Sequence, residues 1–333
     1  MTRFLHTKPV KRRPLWRLGS GFTLVEILIV LAIVSVLAFI SFGIYSRSRA
    51  STYRVSCDVH VKSIALALDA FKQEHGYFPT TLSQLKSGRY ITDDSILSCP
   101  LDPRPGGTYE DFYILRNARS KDELPVLVCP FHESTEHGIQ AFVGRYTTQA
   151  RVAPAVLDGA VQATVEHPGK SPVAAPVGLE LHGADRIRTG SSGSASITFA
   201  DGSKAEIAHD ADLTVLQSFL QSKGELYTLV RQNVGSVQYS VHHGSKFDVV
   251  TPTTTAGALG TQFEIRVNAT TGTWLNVTDG RVRFNTLGGD PVVVTGGSNW
   301  YSADPPPPGP GPGPGGGPGG PRPKRGQGSP PPR

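Results

Sequence analysis

An uncharged apolar run near the N-terminus constrains this chain more than any other feature of its 333 residues. The nineteen residues 27–45 carry no charge, and Glu26 stands directly before them. About 20 apolar residues in a helix are enough to cross the hydrocarbon core of a membrane. A carboxylate placed inside lipid costs about 2.5–3.5 kcal/mol, so Glu26 needs a compensating partner. We therefore expect a transmembrane helix over residues 22–45, in which Glu26 has a specific role.

The residues around this carboxylate form a motif. The chain resembles type IV pilins and type II secretion pseudopilins in its apolar helix and in the preceding sequence Gly21-Phe22-Thr23-Leu24-Val25-Glu26. The resemblance implies that residues 1–21 are a leader, which prepilin peptidase removes by cutting after Gly21, and that Phe22 is then N-methylated. It also implies assembly with other pilin or pseudopilin subunits, with Glu26 paired to the amino group of a neighbour's Phe22. An uncleaved single-pass anchor is the alternative.

The distribution of charge predicts the orientation of this helix. The formal charge of the chain is +6, and residues 1–21 contain six Lys and Arg and no acidic residue. The rest of the chain is therefore balanced. Basic residues beside an apolar helix hold that end in the cytoplasm. We expect a single-pass inner-membrane protein whose later domains lie in the periplasm or outside the cell, and we expect no nucleic-acid partner.

The three cysteines, Cys57, Cys99 and Cys129, allow three different single disulfides. An oxidising compartment permits disulfides. Cys99 and Cys129 are each followed by proline and flank one intervening segment, so we expect this pair to form the bond. A zinc site made of Cys99, Cys129 and His132 is the competing interpretation. Because the spacing contains no CxxC pair, we expect no metal and no cofactor.

Residues 46–75 continue the helix as an amphipathic segment. One stripe of the segment carries apolar side chains at steps of three and four residues: Cys57, Val61, Ile64, Leu68 and Phe71. Gly76 and Pro79 end the helix. We expect loops and a small antiparallel sheet in residues 76–150, with strands at 109–115, 125–129 and 140–146. Residues 67–85 resemble major pseudopilins, but no segment carries the carboxylates of their calcium loop in order, so calcium binding is in doubt.

The second half of the chain has an all-β pattern. Residues 151–176 contain four prolines and few aromatic residues, and we expect them to connect two domains. Eight short β-branched or alternating runs follow, separated by glycine-bearing turns, at 195–199, 204–208, 227–230, 236–241, 247–251, 262–267, 273–277 and 281–285. This spacing predicts a sandwich, a barrel or a β-solenoid over residues 177–303.

Twelve residues of this half form a motif in a fixed order: Gly183, Asp185, Thr189, Gly190, Asp201, Gly202, Thr251, Pro252, Gly260, Thr261, Phe263 and Gly280. Through these residues, the segment from about 155 to 300 resembles a FecR-type domain. Physically they are turn residues and inward-facing residues of β-hairpins, so they indicate fold and not chemistry. FecR proteins relay signals by means of a cytoplasmic regulatory domain. Only a short leader precedes the apolar helix here, so we expect a binding or structural role of the β domain in place of that signalling role. Its ligand is left unknown.

The C-terminal residues 304–333 differ from both domains. Residues 305–333 contain 13 Pro and 10 Gly, with four Lys and Arg and no acidic residue. Such a composition cannot bury a core, so we expect a disordered cationic tail. The chain as a whole is predicted to be α+β: a long N-terminal helix with a small antiparallel sheet over residues 22–150, then the all-β domain and this tail.

The sequence offers no convincing catalytic constellation. The neighbours His242 and His243 point to opposite faces of a strand, so they cannot easily share a metal. The serines of residues 191–196 do not form a G-x-S-x-G motif, and no phosphate-binding loop occurs. We therefore predict that the protein is not an enzyme. It is expected to be a pseudopilin-like subunit of a type II secretion or type IV pilus-type filament. The alternative is a membrane-tethered FecR-type binding or signalling module.

Overall fold

The computed structural model describes residues 23–115, 125–135, 139–142, 145–147, 151–220, 226–268, 270–286 and 290–302. The contacts within the chain divide it into two units, Met1–Thr52 and Tyr53–Arg333. The predicted leader with Gly21 and Phe22, and the Pro/Gly-rich tail from residue 304 onwards, lie outside the described residues. The described part is mostly β.

Two α-helices and eighteen strands make up the regular structure of the described residues. The helices are α1 (Leu24–His75) and α2 (Ser83–Ser87). The strands are β1 (Leu127–Cys129), β2 (Ile139–Phe142), β3 (Arg145–Thr147), β4 (Arg151–Val152), β5 (Ala155–Glu166), β6 (Val173–Ala174), β7 (Glu180–Leu181), β8 (Arg186–Thr198), β9 (Lys204–Ile207), β10 (Asp212–Leu220), β11 (Leu226–Ser240), β12 (Lys246–Val250), β13 (Thr254–Leu259), β14 (Gln262–Asn268), β15 (Gly272–Asp279), β16 (Arg281–Thr286), β17 (Val292–Thr295) and β18 (Ser298–Ser302). Three short 3₁₀-helices, Asp94–Leu97, Tyr109–Phe112 and Pro130–Thr135, connect them.

Helix α1 has 52 residues, which corresponds to about 78 Å at 1.5 Å per residue. It ends as the sequence predicts, because Gly76 adopts a φ of +78° and its N–H donates to the Lys72 carbonyl at 2.8 Å. In the N-terminal unit, every described side chain of residues 23–39 is exposed. Among the described residues, no helix combines the length and hydropathy that a membrane span requires.

The later part of α1 has a buried stripe and belongs to the second unit. Cys57, Val61, Ile64 and Leu68 are at most 1% exposed, and they pack in a common core with residues of α2 and β1. The strands β1, β2 and β3 form a three-stranded antiparallel sheet in that order. The strand predicted at 109–115 is instead a 3₁₀-helix over Tyr109–Phe112, followed by a single β-bridge from Tyr113 to Leu127. Thr108 caps this helix by accepting from the Glu110 N–H at 3.3 Å, which favours a helical turn over a strand.

The other fifteen strands form one large, mostly antiparallel sheet. Its main path has the order β17-β16-β13-β12-β11-β10-β8-β5-β6, and β11 and β12 are parallel. The fifteen-residue β11 changes partners along its length. Its first part pairs with β10 and β12, and its second part pairs with β9 and β14. Gly235, with a φ of +93°, lies at this change.

Residues 151–176, which the sequence predicted to be a connection, are part of this sheet. They contain β4, the twelve-residue β5 and β6. β5 pairs with β8 over nine registered positions, and Ala155, Leu157 and Val165 are fully buried in the core of the large sheet. The prolines that suggested a linker, such as Pro154 and Pro168, lie outside β5, and β5 itself has two register shifts where regular alternation is lost.

Candidate functional site

Four side chains that can each offer a metal-ligand atom converge in the core beside α1. They are Cys57, Cys99, Cys129 and His132, and their Sγ and imidazole nitrogen atoms all lie within 4.8 Å of one another. Cys57, Cys129 and His132 have no exposed surface, and Cys99 is 5% exposed. Residues far apart in the sequence thus form a single buried polar cluster.

Three separate segments position these side chains. Cys57 lies on the buried stripe of α1, one turn before Val61. Cys99 follows the 3₁₀-helix Asp94–Leu97, and a hydrogen bond of 3.0 Å between His60 Nδ1 and the Ser98 carbonyl ties this segment to α1. Cys129 is the last residue of β1. Pro130 then begins the next 3₁₀-helix, which turns the chain back and brings His132 beside Cys99.

The cluster has an ordered set of hydrogen bonds. Cys99 Sγ lies 3.3 Å from His132 Nε2, and the Leu101 N–H donates to the same sulfur at 3.4 Å. Cys57 Sγ lies 2.9 Å from the Tyr109 hydroxyl. Two of the three sulfurs therefore have a polar protein group outside the cluster within hydrogen-bond distance.

The cluster also has an uneven distribution of charge. Burial raises the pKa of the Cys129 thiol well above its ordinary value. Hydrogen bonds from the thiols of Cys129 and Cys57 lower the pKa of Cys99. A negative charge in this cluster is accordingly most stable on Cys99, which also accepts from the Leu101 amide.

The β domain contributes to the surroundings of this cluster. Gln217 of β10 donates from Nε2 to the Cys129 carbonyl at 3.1 Å and accepts from Gln140 Nε2 at 2.9 Å. Leu216, Leu229 and Val250 of the large sheet belong to the same apolar core as the cluster. A further contact joins the two sheets' surroundings: Arg231 of β11 donates to the carbonyl of Tyr113, which follows the 3₁₀-helix Tyr109–Phe112, at 2.7 Å. The later part of α1, the small sheet and the large sheet thus share a core.

The predicted disulfide between Cys99 and Cys129 is absent from the structure, in which all three cysteines are free thiols. The prediction paired two cysteines by their similar sequence context and left Cys57 out. In the fold, Cys57 is an equal member of the cluster, since its place on the helix stripe directs it into the same core. The stripe was visible in the sequence, but the loops that bring Cys99 and His132 to it were not.

Of the three residues predicted to act in processing and assembly, Glu26 lies within the described part of the chain. It forms a capping box with Thr23 at the start of α1. The Glu26 N–H donates to Thr23 Oγ1 at 3.2 Å, and the Thr23 N–H donates to the Glu26 carboxylate at 3.4 Å. In the isolated chain, Glu26 therefore has a local role at the helix N-terminus, and its side chain is exposed.

The FecR-like glycines lie in turns and at close approaches. Gly202, Gly260 and Gly280 have φ values between +60° and +86°, a region that other residues rarely adopt. Gly260 additionally approaches His243 so closely that a Cβ would lie 2.5 Å from the ring nitrogen. Gly183 precedes β8, and Gly190 lies within β8, where its carbonyl accepts from the Asp210 N–H at 3.1 Å.

The polar FecR-like residues make buried or turn-forming hydrogen bonds. Asp185 is 2% exposed and contacts His167 Nδ1 at 2.7 Å, and Asp201 accepts from the Ser203 N–H at 2.9 Å. Thr189, Thr251 and Thr261 are buried and use their hydroxyls to join neighbouring strands and loops. These residues hold the fold together.

The two remaining FecR-like residues differ in exposure. Phe263 is 1% exposed and stacks on Tyr239 with ring centroids 5.1 Å apart. Pro252 is exposed in the turn before β13. The structure does not bring the twelve motif residues together into one site, because they are distributed along strands and turns from β7 to β16.

Comparisons with known proteins identify one family at the N-terminus of the chain and another in the β domain. The model of the prokaryotic N-terminal methylation motif matches residues 16–42, and the model of the FecR protein family matches residues 185–283. The chain is therefore a protein with a pilin-like N-terminus joined to a FecR-type domain.

Two relatives of known family align with the chain, and both are competence proteins named ComGC. The chain is 32% identical over 72 residues to competence protein ComGC of Halalkalibacterium halodurans, an alignment that covers 22% of this chain and 71% of that protein. It is 31% identical over 81 residues to competence protein ComGC of Bacillus subtilis, covering 24% of this chain and 81% of that protein. Through its pilin-like part, the chain belongs to the ComGC family.

Solved structures resemble the chain more distantly. Two crystal structures of a protein from Parabacteroides distasonis, assigned as an anti-sigma factor, align with 15% identity and a TM-score of 0.30. The alignment covers 36% of this chain and 59% of the other.

Proposed function

We propose that this protein is a non-enzymatic structural subunit of a pilin-type filament, and that it carries its β domain outside the inner membrane. In this proposal, prepilin peptidase removes residues 1–21 and the new N-terminal Phe22 is methylated. The helix then anchors the subunit as a single pass in the inner membrane until it packs with the helices of other pilin-type subunits. The match of residues 16–42 to the N-terminal methylation motif and the membership in the ComGC family support this role.

The exposed start of α1 is the observation that carries the proposal. Twelve large apolar side chains between Leu24 and Phe39 are at least 44% exposed, and one of them, Phe39, is 83% exposed. Full burial of such a side chain is worth about 1.5–3 kcal/mol. An exposed apolar helix of this kind requires lipid or apolar partner helices, and a filament of pilin-type subunits supplies the second.

Processing is tested by mass spectrometry of the N-terminal peptide of the membrane-extracted protein. We expect a mature chain that begins at Phe22 and carries a methyl group on its amino group. Gly21→Leu should block the cleavage, whereas Gly19→Leu, which changes a glycine two residues upstream, should leave it intact. A mature N-terminus at any other residue, or an uncleaved chain, would contradict the proposal.

Assembly is tested at Glu26 with two variants that separate its charge from its capping role. Glu26→Gln keeps an oxygen that can accept from the Thr23 N–H but removes the charge that would pair with a neighbour's Phe22. Glu26→Ala removes both. Loss of one partner from a buried ion pair costs about 3–5 kcal/mol, so both variants should be processed normally but cross-link poorly to neighbouring subunits. Cross-linking of Glu26→Gln at the wild-type level would show that the charge is not needed.

The FecR-type domain favours a second candidate function. The matched residues 185–283 lie in the large sheet, and a subunit role alone gives this domain no ligand. In this alternative, the pilin-like segment delivers and anchors a FecR-type binding or signalling module. The two functions differ in their neighbours: a filament subunit cross-links through α1 to pilin-type proteins, whereas a tethered module cross-links only through its β domain.

A further inference from the structure

We propose that Cys57, Cys99, Cys129 and His132 bind one zinc ion in a structural Cys₃His site. The site joins α1, the loop that follows the 3₁₀-helix Asp94–Leu97, and the end of β1 with the 3₁₀-helix after it. This assignment goes beyond the role of the chain in a filament. It also replaces the sequence-based expectation of a disulfide and no metal.

The geometry of the four ligand atoms fits a tetrahedral ion. Zinc–sulfur bonds are about 2.3 Å and zinc–nitrogen bonds about 2.0–2.1 Å, so the ligand atoms of a tetrahedral site lie about 3.4–3.8 Å apart. The four atoms here lie within 4.8 Å of one another, and Cys99 Sγ and His132 Nε2 are 3.3 Å apart. Small side-chain movements suffice to reach the tetrahedral distances.

The number and type of ligands also point to zinc. Thiolate sulfur is a soft ligand, and a tetrahedral set of sulfur and imidazole donors selects zinc over magnesium, calcium or manganese. Four protein ligands fill a tetrahedral shell and leave no position for water or substrate, which is typical of structural sites. The cluster is buried on all sides, so it has no route for a large substrate.

Two groups outside the four ligands are placed to support the bound thiolates. The Leu101 N–H donates to Cys99 Sγ at 3.4 Å, and the Tyr109 hydroxyl lies 2.9 Å from Cys57 Sγ. Zinc with three thiolates and a neutral imidazole carries a net charge of −1, and such donors stabilise that charge. Outer-shell hydrogen bonds of this kind usually change metal affinity about 10–100-fold when they are removed.

The position of the site explains what the ion would do. Its ligands come from α1, from a loop, and from the end of β1 with the 3₁₀-helix that follows it. Gln217 of β10 donates to the backbone carbonyl of the ligand Cys129. A zinc ion would therefore fix the later part of α1 against the small sheet, beside the contact with the β domain. This arrangement performs the function of a disulfide while linking three segments instead of two.

The test measures zinc and thiols in the same preparation of the full chain, extracted in detergent without chelators. Elemental analysis should find about one zinc per chain. Intact-mass analysis after alkylation under denaturing, metal-chelating conditions should find all three cysteines alkylated, because zinc-bound thiols are still reduced. A chain without zinc, either with two cysteines protected as a disulfide or with three alkylated thiols, would overturn the proposal.

Variants separate metal binding from simple packing. His132→Leu should lose zinc, whereas His132→Cys should retain about one zinc as a Cys₄ site. His182→Leu, which changes an exposed histidine of the β domain, is the matched control and should keep the wild-type zinc content. Cobalt substitution adds a spectroscopic readout: the wild type should show a tetrahedral thiolate spectrum, and His132→Cys should shift it. An unchanged zinc content in His132→Leu, or an octahedral cobalt spectrum, would also contradict the proposal.

Discussion

Helix α1 is stabilised in two different ways along its length. Between Leu24 and Phe39 its large apolar side chains face outwards, and Leu28 is 56% exposed. In the second unit the same helix has a buried stripe on which Leu68 is completely buried. Among the described residues, nothing covers the apolar side chains of the early region, whereas the core of the second unit covers the buried stripe of the later region. Mutations in the two regions should therefore change different measurements.

The largest difference is expected between two leucines of this helix. Leu68→Ala leaves a cavity in the core of the second unit and should lower the free energy of unfolding by about 2–5 kcal/mol. Leu28→Ala should change it by no more than about 0.5 kcal/mol, because its side chain is exposed in the isolated chain. Denaturant unfolding of the detergent-extracted protein, followed by tryptophan fluorescence, measures both. Equal destabilisation by the two variants would show that the early region is packed within the chain.

A second test examines how closely the β domain is packed. Gly235 has a φ of +93°, and a Cβ there would lie 2.4 Å from the Cβ of Ala211. Gly235→Ala should therefore lower the free energy of unfolding by about 2–4 kcal/mol, from backbone strain together with overpacking.

Gly244→Ala is the matched control for this test. Gly244 has a φ of +90°, but a Cβ added there would have no other atom within 4 Å, so only the backbone strain remains. Its effect should be smaller than that of Gly235→Ala. If the two variants are equally destabilised, the approach of β11 to Ala211 does not limit the packing.

The internal ion pair of the β domain gives a pH-dependent test. Burial raises the pKa of Asp212, but hydrogen bonds and charge from Arg186 outweigh it, so the pKa lies below its ordinary value. Arg186 Nε donates to this carboxylate at 2.8 Å, and Asn233 Nδ2 donates at 3.2 Å. Because the pKa is lower in the folded state, this stabilisation is fully present above the unfolded pKa of about 3.9 and is lost as the pH falls through the folded value.

Asp212→Asn should therefore destabilise the protein at neutral pH by about 1.5–3 kcal/mol, the usual contribution of a charged hydrogen bond. The difference from the wild type should begin to shrink below about pH 4, where the carboxylate of the unfolded chain binds a proton, and should vanish once the folded carboxylate is protonated as well. Unfolding curves of both proteins at neutral and acidic pH provide the measurement. A difference that is constant with pH would mean that charge is not the cause.

The sequence predicted local features well and long-range arrangements poorly. The stop signal at Gly76 and Pro79 predicted the end of α1 correctly. Alternating residues between glycine-bearing turns predicted β9, β12, β14, β15 and β16. β10 was missed because nearly all its described side chains are buried, so its sequence shows no alternation. β13 was missed because Ala and Gly in Thr254–Leu259 give a weak strand signal.

The candidate metal site was predicted only in part: Cys99, Cys129 and His132 were considered as zinc ligands, but no metal was expected and Cys57 was not included. Each ligand is a common residue in an ordinary local context, and Cys57 precedes Cys99 by more than forty residues. Their convergence depends on the 3₁₀-helix Pro130–Thr135, which returns His132 to Cys99, and on the loop that α1 holds through His60. Such a site is set by tertiary packing, and no spacing rule within the sequence contains it.

A small predicted effect on helix stability separates the two roles of the N-terminal capping box. Thr23→Ala removes the oxygen that accepts from the Glu26 N–H, and loss of such a cap weakens a helix by about 1 kcal/mol. The Glu26 charge stays in place, so cross-linking to neighbouring subunits should fall far less than in Glu26→Ala. Thr23→Ser, which keeps the hydroxyl, should behave as the wild type. If Thr23→Ala reduces cross-linking as strongly as Glu26→Ala does, then Glu26 supports assembly through the start of its own helix and not through a partner's amino group.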